Sequence, residues 1–132
     1  MTFKSNLPAL RRAMDRAEEA GLYAAAQVGV NATKRGLRGG YTSGDFVTGN
    51  SIDAVTIGDP FWTAVGRAIR YGTNLLYNLY WELGHMNVWT GKYERKEVWR
   101  PAMLENTEQM RQEYARVYAR YLKPFTVEYR GA

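Results

Sequence analysis

The sequence predicts an α+β fold, with a long N-terminal helix and a C-terminal helix packed on a small antiparallel β-sheet or hairpin. Three observations predict it. Leu7, Leu10, Met14, Ala17, Gly21, Ala24 and Val28 are spaced alternately three and four apart, which is one face of a long helix. Met103, Thr107, Met110, Tyr114, Val117 and Tyr121 repeat in the same way near the other end. Between them lie two short apolar runs broken by glycine and proline, the pattern of a hairpin.

The N-terminal helix is assigned to residues 1–34, with Ser5 or Asn6 as its cap and Pro8 in its first turn, where the missing N–H costs little. Its face is narrow and rich in small residues, so another backbone can approach closely around Gly21. Residues 35–50 then read as a glycine-rich loop, with glycines at 36, 39, 40, 44 and 49. A segment of that length without its own structure points to binding or to folding on a partner, and its apolar cluster is Tyr41, Phe46 and Val47.

Residues 51–100 form a β and aromatic region. Ile52, Ala54, Val55 and Ile57 make one strand-like run, and Ala64 to Tyr71 makes a second, predicted to pair around Asp59-Pro60. Tyr77, Tyr80 and Trp81 follow among leucines, and Gly84 closes that stretch as a helix stop or a turn. Pro101 opens the C-terminal helix, 101–123, which Pro124 ends, while Glu108/Arg111 and Glu113/Arg116 pair on its outer side. The whole, 1–132, is one domain.

The composition excludes several chemistries. There is no cysteine, so disulfides, thiolate metal sites and cysteine nucleophiles are out. His85 is the single histidine, too little for a multi-histidine metal centre. The glycines spell no phosphate-binding loop, and Ser43 and Ser51 stand in no nucleophile-elbow context. We therefore expect no catalytic, cofactor or metal site. No apolar run reaches membrane-spanning length, and the start lacks a signal-peptide pattern, which predicts no membrane partner and a cytoplasmic origin. Aromatic content is high at 14%, with ten tyrosines and four tryptophans, too many tryptophans to bury fully in so small a domain. One or two of Trp62, Trp81, Trp89 and Trp99 are therefore expected to anchor an interface. The net charge of +5 and the cluster Lys34, Arg35 and Arg38 are open to two readings: contact with DNA or an acidic partner, or a solvated helix end complementing the dipole.

The second half resembles a family. Ile69 to Asn74, followed by Tyr77-Asn78-Leu79-Tyr80-Trp81-Glu82-Leu83-Gly84, is similar to a strand ending in "V-G-x-N" that leads to "Y-A-x-Y-x-E-F-G-T". Arg100-Pro101-Ala102-Met103-Leu104-Glu105 resembles the next signature, "R-P-A-L-E", which opens the last helix, and Thr48-Gly49-Asn50-Ser51-Ile52 resembles an upstream "T-G-x-L-x-x-S-I". These are signatures of the tailed-phage head–tail neck group, the tail-completion or minor tail component proteins. The resemblance implies a virion structural protein, assembled in the host cytoplasm as a six-fold homo-oligomeric ring. That ring would lie between a head-closure or adaptor ring and the tail tube or terminator proteins, with double-stranded DNA passing through its channel. It makes Tyr77, Tyr80, Trp81 and Glu82 candidates for the ring contact, and Tyr41 and Phe46 candidates for a loop that orders on a neighbour. The alternative from another class is a basic nucleic-acid-binding module built on Lys34, Arg35 and Arg38, although no recognition-helix, zinc or stacking-sheet motif accompanies them.

Overall fold

The structure, a computed structural model, describes residues 7–38, 52–73, 78, 82–87 and 89–125. Helix α1 spans Leu7–Arg38, and Pro8 does sit in its first turn. The predicted caps Ser5 and Asn6 lie outside the described residues. The helix runs four residues beyond Lys34, so residues 35–38 are helical rather than loop, because buried Leu37 anchors one more turn. The remainder of the predicted loop, 39–50, is outside the described residues.

The chain continues through a helical turn at 52–53 and buried Val55, and the described residues include six short strands. These are β1 (Thr56–Ile57), β2 (Phe61–Thr63), β3 (Gly66–Ala68), β4 (Tyr71–Gly72), β5 (His85–Asn87) and β6 (Lys92–Glu94). Helix α2 (Trp99–Glu105), helix α3 (Thr107–Leu122) and a 3-10 turn (Lys123–Phe125) follow. The α+β class stands, yet the strands are three separate antiparallel pairs, β1–β4, β2–β3 and β5–β6, instead of one platform sheet. The platform is α1.

The first four strands form one nested hairpin. Thr56 faces Gly72 and Ile57 faces Tyr71 in the outer pair, while Phe61 faces Ala68 and Thr63 faces Gly66 in the inner one. Between the pairs, residues 58–60 oppose only 69 and 70, so one strand carries an extra residue, a bulge. Asp59-Pro60 therefore makes the bulge, and the turn falls at Ala64-Val65, five residues beyond the predicted place. Thr63 explains it. Its hydroxyl donates to the Gly66 carbonyl at 2.7 Å and accepts from the Val65 N–H at 3.3 Å, while Gly66 takes a φ of +142°.

The predicted C-terminal helix is likewise two helices that begin at Trp99 and break at Asn106. In an unbroken helix the Asn106 N–H would bond the Ala102 carbonyl. Here the Asn106 side-chain amide takes that carbonyl at 2.7 Å, and its backbone N–H turns to Met103 at 3.3 Å.

Three glycines on α1 show how everything docks on it. At Gly21 a Cβ would stand 2.7 Å from the Tyr114 ring of α3, and at Gly29 it would stand 2.6 Å from Tyr71 and 2.8 Å from Met110. At Gly36 it would stand 2.7 Å from Val98. Helix α3 thus returns antiparallel along α1, meeting it through small residues as expected. The buried face follows the predicted seam through Ala17 and Gly21, then shifts to Ala26, Val30, Thr33 and Leu37. The shift arises because α3 covers one side of the helix and the hairpin and α2 cover another.

The core sits at the C-terminal end of α1. Val30, Leu37, Val55 and Val98 form it, with Ile52, Ile57, Tyr71 and Trp99 packed around them. Each fully buried large aliphatic chain is worth about 1.5–3 kcal/mol. Tyr71 and Trp99 stack with centroids 5.9 Å apart, joining hairpin to α2. By contrast, α3 has no fully buried residue, so its apolar stripe is only half covered.

Candidate assembly surface

Glu82 and Leu83 are helical, and Gly84, at φ +91°, turns the chain into β5. This bears out Gly84 as a stop. The β5–β6 hairpin then brings the chain back: Tyr93 donates its hydroxyl to the Leu83 carbonyl at 2.8 Å, and Arg95 Nε donates to the Glu82 carbonyl at 3.1 Å. The Glu82 carboxylate thereby lands on the start of α2. Oε2 accepts the N–H groups of Val98 at 2.7 Å and Trp99 at 3.2 Å, and Oε1 accepts that of Arg100 at 2.8 Å. These N–H groups have no partner within the helix, and a carboxylate also suits the positive end of its dipole. Val98 offers no cap of its own, so Glu82 is the cap, supplied from another part of the chain.

The nested hairpin is fastened along α1 by polar contacts. Arg67 donates to Asp15 at 2.6 Å and also to Glu19, and Tyr23 donates to Asp59 at 3.1 Å. Arg67 also lies over the Trp62 ring at 5.1 Å, and Arg70 lies over Phe61 at 4.4 Å. Partial desolvation, and then the bond to the Asp59 carboxylate, raise the Tyr23 phenol above its ordinary pKa. Burial, with the Glu18 charge behind it, raises that of Tyr114.

Among the described residues, apolar side chains stand open at both hairpins. At the hairpin tip Val65 is 99% exposed and Trp62 is 69% exposed. On the β5–β6 side Leu83, Met86, Trp89 and Tyr93 are exposed. Two of the three described tryptophans, Trp62 and Trp89, therefore meet water. A cavity of about 240 Å³ opens at the root of the nested hairpin, walled by Ala25, Ala26, Ile69, Tyr71, Met103 and Met110, with Arg70 also lining it.

Of the predicted site residues, Glu82 caps the start of α2 within its own chain. Tyr41, Phe46, Tyr77, Tyr80 and Trp81 lie outside the described residues. Lys34, Arg35 and Arg38 occupy the last turns of α1, with Arg35 and Arg38 exposed. Arg35 lines a groove of about 590 Å³ that also holds Lys96, Glu97 and Glu105, a mixture of charges. Sequence reasoning missed the hairpin tip, since Ala64-Val65 reads as strand interior, and it missed the β5–β6 pair inside a charged segment. Gly91, at φ +68° between β5 and β6, was the available signal.

Among the described residues no three histidine, cysteine or acidic side chains gather to hold a metal, and no helix is long and apolar enough to cross a membrane. No protein-family model, curated protein or solved structure matches the chain.

Proposed function

We propose that the protein is a structural component of a tailed-phage neck, a ring that joins the head connector to the tail and keeps the DNA channel continuous. The observation that carries this reading is the Glu82 cap. The two best-matched family-like segments, one ending Trp81-Glu82-Leu83-Gly84 and the other starting Arg100-Pro101, are bonded through the Glu82 carboxylate. Their pairing in sequence then has a physical reason: one segment carries the acid that starts the helix of the other. The exposed aliphatic and aromatic side chains of both hairpins supply adhesive area for a multi-subunit contact.

The charge distribution favours adhesion over free nucleic-acid binding. Arg67, Arg95, Arg111 and Arg116 are held by carboxylates, and Arg35 shares its groove with Glu97 and Glu105. Electron microscopy and sedimentation of the purified protein, alone and mixed with head connectors, test the reading. Closed rings, or decorated connectors, are expected. Particles that stay monomeric in both mixtures while binding duplex DNA in a salt-dependent way would replace it with the nucleic-acid module.

A further inference from the structure

We propose that subunits join head to tail by inserting the Val65 hairpin tip of one copy into the Met103–Met110 cavity of the next. The contact deepens the ring reading above and rests on it. The tip is an apolar knob open to water, with Val65 99% exposed and Trp62, although Arg67 lies over its ring, 69% exposed. The cavity, about 240 Å³, has room for a valine side chain, and among the described residues that line it Arg70 alone is charged.

The knob cannot fill the cavity of its own subunit. The cavity is walled by Ile69 and Tyr71 at the root of the same hairpin, roughly 15 Å along the strand from Val65 at about 3.3 Å per residue. The hairpin is also pinned in its direction by Arg67 on Asp15 and Glu19. The cavity that takes the tip is therefore that of a second copy.

Charge agrees with that choice. Beside the tip stand Asp15 and Glu19, whose side chains keep 59% and 43% of their surface open even with Arg67 bound. At the cavity stands exposed Arg70, and no carboxylate is among the described residues that line it. Seating the tip brings acidic and basic rims together around an apolar plug. Knob and cavity are different patches of one chain, so the contact is heterologous and propagates into a ring or filament instead of stopping at a dimer.

The absence of cysteine makes the test clean. Val65→Cys combined with Met103→Cys, oxidised gently in assembled protein, is expected to give a ladder of covalent multimers. Each single variant gives no ladder. Val65→Asp is expected to weaken self-association at least tenfold in sedimentation while leaving the melting temperature of the monomer unchanged, because the residue is 99% exposed in its own subunit. Rings that form normally from Val65→Asp, with no ladder from the double variant, would overturn this contact and leave the ring reading intact. Wild-type protein that remains monomeric, with and without connectors, would overturn both.

Discussion

Glu82 and Arg100 stand 18 residues apart, yet the carboxylate of the first accepts the backbone N–H of the second at 2.8 Å. With Val98 and Trp99 bonded to the other oxygen, one side chain serves three helix-start donors. A charged acceptor for several backbone donors is worth more than a neutral cap, and removing it strands donors at a half-buried junction.

Replacing Glu82 should therefore be costly in proportion to what is lost. Glu82→Ala is expected to lower unfolding free energy by about 2–3 kcal/mol, in the range of lost charge-assisted bonds plus a lost cap. Glu82→Gln keeps one acceptor oxygen and loses the charge, so about half that loss is expected. Urea denaturation measures both, and a loss below about 0.5 kcal/mol for the alanine variant would contradict the cap.

The residues that reveal this fold and those that hide it differ in the range of the interactions involved. Helical spacing from Leu7 to Val28 and from Met103 to Tyr121 is local; the first run lies within α1, and the second spans α2 and α3 with the break at Asn106 between them. The close approach at Gly21 was legible for the same reason, as a small residue on an apolar face. The hairpin turn was not. Asp59-Pro60 has turn composition, whereas the actual turn depends on the Thr63 hydroxyl and on a bulge set by pairing with Arg70 and Ile69. The Asn106 break was hidden because its side-chain amide competes with the backbone inside an otherwise continuous pattern. For the candidate surface, composition foretold exposed tryptophans, and only folding selected Trp62 and Trp89. The role of Glu82 was hidden entirely, because its donors lie 16 to 18 residues downstream.

Arg67 fastens the nested hairpin to α1 through Asp15 and Glu19, and its side chain is only 11% exposed. Arg67→Met keeps much of the buried stem while deleting the charge. Hydrogen exchange is expected to speed up at the amides of Phe61 to Ala68 and to stay unchanged at the core amides near Val30. High salt should produce a weaker version of the same pattern in the wild type, since the carboxylates remain partly exposed. Uniform acceleration across the chain would show that Arg67 supports the global fold instead of the hairpin.

Tyr23 donates to Asp59, and its folded pKa is raised above the ordinary 10.0, first by desolvation and then by that carboxylate. A raised folded value means that the contribution is complete below the unfolded pKa and is lost as pH rises through the folded one. The stability advantage of wild type over Tyr23→Phe is thus expected to be constant from neutral pH to about 9 and to shrink above 10. Chemical denaturation across that range measures it. An advantage that grows with alkalinity would mean that the phenol and Asp59 do not interact as described.

Gly29 gives the sharpest packing prediction, because two opposing effects meet there. In an open helix, glycine to alanine gains about 1 kcal/mol of propensity. Here the added methyl would lie 2.6 Å and 2.9 Å from ring carbons of Tyr71 and 2.8 Å from the end of Met110. Met110 is flexible and can withdraw. Tyr71 cannot do so freely: it stacks on Trp99, its hydroxyl accepts from buried Thr33 at 3.4 Å, and its backbone is paired with Ile57. Overpacking of a held side chain costs roughly 1–3 kcal/mol, which exceeds the gain in propensity. Gly29→Ala is therefore expected to be destabilising overall, and the combination with Tyr71→Phe, which frees the hydroxyl, to be less so than the sum of the two single variants. A double-mutant cycle by thermal melting reads that coupling, and a Gly29→Ala protein more stable than wild type would place Tyr71 farther from α1 than 2.6 Å allows.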